Sequence, residues 1–266
     1  NSPSLEKDKI LLLQPVIRTQ FFGKAKEIDG FSTSFVNICS EKIGTNLEEH
    51  IQLLEESFNI LSELGIYIGD ISIKVYTHES DWGRGKFNDL VLSISYKDLE
   101  IGDATYRQNV PTNFGRKNIS DIGFGLERIT WAINKTESYY ENIWPGKLLI
   151  NIESQIIDIL RTSTLIVASG INPSNNGGGY RARKFIKDYK NHQIVEASEL
   201  ISHFYNFWNN YYKLERSVEE TTDIIYKEII RNRNLGILRN YNMKEDTNVD
   251  KDIVELKRAV NKIKKT

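Results

Sequence analysis

The segment that most restricts the range of possible folds is Asp121-Ile122-Gly123-Phe124-Gly125-Leu126-Glu127-Arg128. Two glycines open an amphipathic helical pattern, and an arginine ends the segment. Glycine lets the backbone approach a ligand closely, because it has no side chain. The octapeptide also fits a glycine-rich turn before a core helix, with Glu127 and Arg128 in solvent, since short motifs recur by chance. The flanking sequence has to decide between these interpretations.

Further segments lie on both sides of the octapeptide in a fixed order. They are QPVIR at residues 14–18, IDGF at 28–31, SFVNI at 34–38, SYYE at 138–141 and SGINPSNNGGGYR at 169–181. Unrelated short matches would not fall in family order at family-like spacing. Together these segments resemble the alanyl-tRNA synthetase family of class II aminoacyl-tRNA synthetases. Residues 14–38 resemble the second motif of that class, and the octapeptide resembles its third motif.

The resemblance implies an enzyme that uses ATP and Mg²⁺ to activate a small amino acid, alanine or a close relative, as an aminoacyl-adenylate. Fixed positive charge stabilises the phosphate oxygens in such a reaction. Arg18 and Arg128 take the places of the catalytic arginines, although Arg18 alone would be interpreted as a surface residue at the end of a strand. A guanidinium can stack on adenine and bind phosphate oxygens. The ATP-binding residues implied by the resemblance are Arg18, Lys24, Phe35 and Arg128.

The resemblance also implies a pocket for the amino acid. Asp121 would receive the α-ammonium group, and Gly123 would let the backbone approach the substrate. Trp82 and Asp103 take the places of a tryptophan that walls the pocket and an asparagine that faces the substrate. Core packing of Trp82 and a turn carboxylate at Asp103 stay open as alternatives. Because aspartate replaces a neutral asparagine, the substrate is expected to be more polar or more cationic than alanine.

The sequence leaves the acceptor of the activated amino acid open between tRNA and a small molecule. The residues implied on the acceptor side are Asn175, Arg181, Arg183, Lys184 and Lys187. The four cations suit phosphate contact but also fit a solvated helix face. Ser169 and Gly178 depart from the tRNA-side residues of the family, and residues 234–241 contain no aspartate.

We therefore expect transfer to a small-molecule acceptor in a biosynthetic pathway. One alternative is a minimal alanyl-tRNA synthetase that charges tRNA. Another is a non-catalytic relative that binds a ligand or tRNA. The presence of Arg18, Asp121 and Arg128 together argues against the non-catalytic alternative, since a pure binder does not need the phosphate-binding arginines.

Composition limits the other classes of function. With 35 Lys and Arg against 36 Asp and Glu, the charges nearly cancel, so any contact with nucleic acid must be local. Cys39 is the single cysteine, which excludes an internal disulfide and a multi-cysteine zinc site and fits a cytoplasmic location. No stretch suits a membrane span. Many class II enzymes are homodimers, but only residues 2–5 hint at the dimer motif, so the oligomeric state stays open.

The pattern of elements changes near the middle of the chain. Between residues 11 and 150, β-rich runs at 11–17, 31–38, 71–76 and 90–96 alternate with two helical patterns. The first helix is predicted after a cap at Thr45 or Asn46 and before Gly65, with an apolar stripe formed by Leu47, Ile51, Leu54, Phe58 and Leu61. Helical patterns follow at 152–167, 180–189, 197–212, 218–230 and 253–263.

These patterns predict an α+β fold. A class II synthetase-like antiparallel sheet flanked by helices is expected at residues 1–148, followed by an all-helical domain at 149–266. The resemblance therefore covers a catalytic core and a helical middle domain, without the family's editing and C-terminal domains.

Overall fold

The chain forms two compact units. A computed structural model describes residues 9–81, 83, 85–113, 115–143, 152–189 and 194–240. One unit consists of Asn1–Val16 and Phe35–Gly146, and the other of Ile17–Ser34 and Lys147–Thr266. The segment between the first two strands thus clusters with the C-terminal helices.

The first unit contains a six-stranded sheet with the strand order β1-β2-β6-β5-β4-β3. Its strands are β1 (Lys9–Ile17), β2 (Ser34–Ile43), β3 (Ile71–Asp81), β4 (Lys86–Tyr96), β5 (Leu99–Thr112) and β6 (Gly115–Gly125). The pairs β2–β6, β6–β5, β5–β4 and β4–β3 are antiparallel. The predicted α+β class with an antiparallel sheet is therefore confirmed, although the sequence pattern missed β5 and β6 as a long hairpin.

Side chains alternate between the two faces of this sheet, because successive residues of a strand point to opposite sides. One face packs against helices α1 (Leu47–Glu63) and α2 (Leu126–Asn134). The core residues are Leu53, Leu54, Leu61, Ile66, Ile94, Tyr96, Ile101, Ala104, Ile122, Phe124 and Ile129. The opposite face contains Val91 and a cluster of mainly polar residues, which we call the polar face: Cys39, Glu41, Asp89, Asp103, Thr105, Arg107, Asp121 and Gly123.

Local sequence signals place α1. The Asn46 side chain accepts a hydrogen bond from Glu49 N at 2.8 Å, and Glu49 accepts one from Asn46 N at 3.0 Å, which forms a capping box. Gly65 has a φ of +93°, a left-handed conformation that favours glycine. The cap and the stop are confirmed, but the predicted stripe is only partly right. Its first two members, Leu47 and Ile51, are 44% and 47% exposed.

The octapeptide that opened the sequence analysis joins a strand to a helix. Residues 121–125 form the end of β6, and α2 begins at Leu126. The two glycines are therefore strand residues rather than part of a turn. Glu127 is buried, and both its carboxylate oxygens accept the Val36 N–H, at 3.1 and 3.2 Å. The interpretation of Glu127 as a solvated residue is wrong, because its carboxylate ties the first turn of α2 to β2.

The second unit is built around helix α3 (Ser154–Ala168), which is buried from Ile156 onward. Helices α4 (Gly177–Lys187), α5 (Ile194–Asn209) and α6 (Val218–Asn240) pack against it. Phe22 lies edge-on to Phe185 with ring centroids 4.4 Å apart, and Ile17 packs against the same cluster. Four of the five predicted helices are found with shifted ends, and the fifth, at 253–263, lies outside the described residues.

Within the residues that the structure describes, no helix is both long enough and apolar enough to cross a membrane.

Candidate functional site

Four strands of the first unit bring polar residues together on the polar face. Asp121 of β6 pairs in register with Glu41 of β2 and Thr105 of β5. Gly123, two residues along β6, pairs with Cys39 on one side and Asp103 on the other. The structure therefore brings together three of the predicted substrate-binding residues, Asp121, Gly123 and Asp103, on two adjacent strands.

Asp121 is held by an ion pair that the sequence analysis missed. Arg107 donates from Nη2 to Asp121 Oδ2 at 2.7 Å and from Nη1 to Asp89 Oδ2 at 3.0 Å. Ser80 Oγ also donates to Asp89 Oδ2, at 2.6 Å. The side chains of Asp89, Arg107 and Asp121 are 2%, 19% and 26% exposed, so the network runs from a buried anchor to a partly exposed end.

Gly123 is a position of close approach. A Cβ atom at residue 123 would lie 3.0 Å from Asn37 Oδ1 and 3.2 Å from Asn37 Nδ2. The Asn37 carboxamide thus occupies the space that a side chain would need. The predicted role of Gly123, to let other groups reach the backbone, is compatible with this contact and stays a prediction.

Asp103 lies on the same face, and its Oδ2 accepts a hydrogen bond from Thr105 Oγ1 at 3.3 Å. It belongs to the interior of β5 rather than to a turn. The alternative interpretation of Asp103 as a turn carboxylate is therefore wrong.

Cys39 lies between two carboxylates. Its Sγ is 3.6 Å from Glu41 Oε1 and 3.6 Å from Asp121 Oδ1. Burial, followed by the negative charges of Asp121 and Glu41, raises the pKa of the Cys39 thiol well above its usual range. Ligand atoms of the three residues lie within 4.8 Å of one another. A protonated thiol does not suit Mg²⁺, which prefers oxygen ligands, so this cluster does not fit the magnesium ion implied by the resemblance.

Arg128 lies in the first turn of α2. Its Nη1 donates to the Glu100 carbonyl oxygen at 2.7 Å, and its Cβ is 3.9 Å from the Cβ that an alanine at Gly125 would carry. Phe35, another residue of the predicted ATP site, is half-buried in β2. Both residues belong to the first unit.

The remaining predicted activation residues belong to the second unit or fall outside the described residues. Arg18 and Lys24 belong to the second unit. The backbone N–H of Arg18 donates to the Thr33 carbonyl at 2.8 Å, and Lys24 is exposed at the start of a short 3₁₀ helix. Trp82 lies outside the described residues.

The predicted acceptor-side cations divide into two groups. Arg181, Lys184 and Lys187 are exposed on α4. Arg183 is instead half-buried and donates to both carboxylate oxygens of Glu228 on α6, at 2.9 and 3.2 Å. It also donates to Asn175 Oδ1. Arg183 thus ties α4 and the preceding loop to α6.

A signal for the missed residues was present in the sequence. Polar residues alternate in β5, at Asp103, Thr105 and Arg107, and in β2, at Asn37, Cys39 and Glu41. Alternation of this kind places all members of a run on one face of a sheet.

Comparison with known proteins gives several matches to alanine–tRNA ligases. The enzyme of Elusimicrobium minutum is 35% identical over 88 residues, 27% of this chain and 10% of the relative. That of Wigglesworthia glossinidia brevipalpis is 27% identical over 176 residues, 52% of this chain and 20% of the relative. That of Rickettsia canadensis is 28% identical over 165 residues, 53% of this chain and 18% of the relative. The matched segments thus span a fifth or less of these relatives. No protein-family model matches the chain.

Among solved structures, two of pyrrolysyl-tRNA synthetase from Desulfitobacterium hafniense are similar to the chain, each with 22% sequence identity. The match to one structure covers 52% of this chain and 46% of the synthetase chain, with a TM-score of 0.35. The match to the other covers 49% of this chain and 42% of the synthetase chain, with a TM-score of 0.33.

Proposed function

We propose that the chain uses ATP to activate a small amino acid as an aminoacyl-adenylate, because it is alanyl-tRNA synthetase-like, with matches to alanine–tRNA ligases over about half of its length. The main support is Asp121, an ionisable residue of the third motif whose carboxylate is held on the polar face by Arg107. A carboxylate in this position can accept hydrogen bonds from an α-ammonium group.

The polar face supplies the other contacts that an amino acid needs. Asp103 pairs in register with Gly123, so its carboxylate lies on the strand next to Asp121. Two carboxylates can share the three N–H donors of one ammonium group. We propose that Asp121 and Asp103 bind the cationic end of the substrate, and that Gly123, by lacking a side chain, leaves room for the Asn37 carboxamide beside them.

The nucleotide end of the site is proposed at Arg128. Its guanidinium is always charged and presents five donors in a plane, which suits phosphate oxygens and the face of adenine. One donor is used by the exposed carbonyl of Glu100, so the arginine side chain is already oriented at the start of α2. ATP supplies the adenylyl group, and Mg²⁺ would enter with its phosphate oxygens as ligands. Phe35 is proposed as an apolar contact for the nucleotide.

Amino-acid-dependent exchange of pyrophosphate into ATP tests this proposal, with each amino acid in turn. In the same assay, Asp121→Asn should raise the amino-acid KM about tenfold or more, because it removes a charge-assisted contact, and should leave the ATP KM nearly unchanged. The matched control is Asp98→Asn, an exposed residue with a φ of +67° that asparagine tolerates. An unchanged amino-acid KM in Asp121→Asn would assign the ammonium site to another residue.

For the second half-reaction we propose transfer to a small-molecule acceptor rather than to tRNA. Two of the five residues implied on the acceptor side, Asn175 and Arg183, are bound to each other, and Arg183 is also paired with Glu228. Their polar atoms thus serve the second unit's own structure. The departures at Ser169 and Gly178 lie in the same tract.

A second candidate function, the charging of tRNA, is favoured by the exposed surface of α4. Tyr180 is 54% exposed, and Arg181, Lys184 and Lys187 are exposed on the same helix. A cationic helix with an exposed aromatic ring suits contact with the RNA backbone and with unstacked bases.

Charge reversal decides between the two acceptors. If tRNA is the partner, the double variant Arg181→Glu, Lys187→Glu should abolish a tRNA complex whose affinity falls by roughly 0.7 to 0.9 log units per log unit of salt for each phosphate contact. Pyrophosphate exchange should stay intact. The matched control is Lys213→Glu, Lys227→Glu, two exposed lysines outside α4. Aminoacyl-tRNA made at enzymatic rates by the unmodified protein would overturn the small-molecule proposal.

A further inference from the structure

The ion pair between Arg107 and Asp121 is not explained by the third motif itself, because Arg107 lies on a different strand. Arg107 is opposite Asp89 in the β4–β5 register, and one side-chain nitrogen binds Asp89 while the other binds Asp121. The network therefore links three neighbouring strands, and Ser80 extends it to β3.

Asp89 fixes one end of this network. Its side chain is 2% exposed, and a carboxylate buried to that degree requires charged or hydrogen-bonding partners. Arg107 and Ser80 both donate to its Oδ2. Arg107 is therefore held in place by the buried carboxylate of Asp89, whose charge is costly to leave unpaired.

Asp121 is at the other end, and its surroundings are unfavourable for a carboxylate without Arg107. Glu41 is directly opposite Asp121 on β2, and like charges at opposed positions of a sheet repel. Asp103 is also near, because it lies on β5 two residues before Thr105, the residue opposite Asp121. Arg107 offsets this repulsion and donates to Oδ2, whereas Oδ1 lies 3.6 Å from Cys39 Sγ.

From this geometry, we propose that Arg107 is a positioning residue, which presents the Oδ1 edge of Asp121 to the ammonium group of the amino acid. The inference rests on the proposed function and deepens it, since it names the residue that orients the ammonium receptor. Arg107 acts through Asp121, so its removal should weaken binding of the amino acid and should not change the contacts to ATP.

A variant of Arg107 alone would leave Asp89 buried without its cation and could fail to fold. The test variant is therefore Asp89→Asn, Arg107→Met, which removes both charges together. Arg107→Lys serves as the conservative variant, since it keeps the charge and loses the planar fork. The control is Arg116→Met, because Arg116 is exposed and its guanidinium donates to the backbone carbonyls of Asn109 and Lys86.

The experiment measures amino-acid KM, ATP KM and kcat in pyrophosphate exchange, with thermal unfolding as a check on the fold. We expect the double variant to raise the amino-acid KM about tenfold, with ATP KM and kcat changed less than about threefold, and Arg107→Lys to restore part of the loss. In an Asp121→Asn background the same double change should raise the amino-acid KM by less than about a further twofold, because the effects of residues that act as one unit are not additive.

Two outcomes would overturn the proposal. A lower unfolding temperature with an unchanged amino-acid KM would show a merely structural role. A roughly tenfold rise of the amino-acid KM in the Asp121→Asn background would show that Arg107 does not act through Asp121.

Failure of the proposed function has a different signature. If the unmodified protein gives no exchange with any amino acid, calorimetric titration of amino acids into the same variants still measures the effect of Arg107 on binding. Retained binding that weakens about tenfold in the double variant would support the positioning role without the activity. An unmodified protein that binds no amino acid would overturn both.

Discussion

Replacing Arg128 with alanine should lower kcat/KM for ATP in pyrophosphate exchange by roughly 30- to 1,000-fold, which corresponds to roughly 2 to 4 kcal/mol of transition-state stabilisation. The expected loss is large because one change removes a charged fork that binds phosphate oxygens and a plane that stacks on adenine. The fold should be nearly unaffected. The hydrogen bond from Arg128 Nη1 to the carbonyl oxygen of Glu100 lies at an exposed position, where water can solvate the carbonyl once the arginine is removed.

Two further variants separate the loss of charge from the loss of geometry. Arg128→Lys keeps a positive charge without the planar fork, so it should recover only part of the activity. Arg116→Ala removes an arginine at an exposed position of β6 and should leave exchange unchanged. Exchange within a few-fold of the unmodified protein in Arg128→Ala would assign the nucleotide contact to other residues.

The parts of the fold that could be predicted were those with local signals. Asn46 and Glu49 are three residues apart and satisfy each other's hydrogen bonds, so the start of α1 follows from a short stretch of sequence. The hairpin of β5 and β6 lacked such a signal. Its strands contain Gly102, Asn109, Pro111 and several charged residues, and the register shifts between Arg107 and Val110. These strands are defined by their neighbours in the sheet more than by their own composition.

The candidate site was predictable only as far as the motif reached. Asp121, Gly123 and Arg128 are close in sequence, whereas Arg107 and Asp89 are 18 residues apart and meet because β4 and β5 pair. Arg183 shows the same limit on a helix. It lies in a basic run, but its partner Glu228 is 45 residues away on α6. Ion pairs between distant segments depend on the packing of elements, which no local pattern encodes.

The largest expected effect on stability is at Asp158 of α3. Asp158 Oδ1 accepts the Thr33 N–H at 2.6 Å, and Asp158 Oδ2 accepts the Thr33 hydroxyl at 2.6 Å; both residues are buried. Asp158→Ala should lower the free energy of unfolding by roughly 2 to 4 kcal/mol, because it leaves two buried donors without an acceptor. Asp158→Asn should cost less, since an amide can keep both contacts. Guanidinium chloride unfolding measures these losses, with Asp223→Ala, an exposed aspartate on α6, as the matched control.

The pH dependence of unfolding distinguishes the charge of Asp158 from its hydrogen bonds. Burial raises the pKa of Asp158 from 3.8 to about 6, against the lowering effects of Thr33 and the Arg161 charge. Between these two values the folded chain retains a proton that the unfolded chain has lost. The contribution of Asp158 to the free energy of unfolding should therefore fall as the pH rises through this window, by up to about 3 kcal/mol, and should stay constant above it. The asparagine of Asp158→Asn cannot titrate. The difference in the free energy of unfolding between the unmodified protein and Asp158→Asn should therefore change across this window and be constant at neutral pH. A difference that is constant from about pH 4 to pH 7 would show that Asp158 is ionised throughout, because its two donors and Arg161 then outweigh the cost of burial.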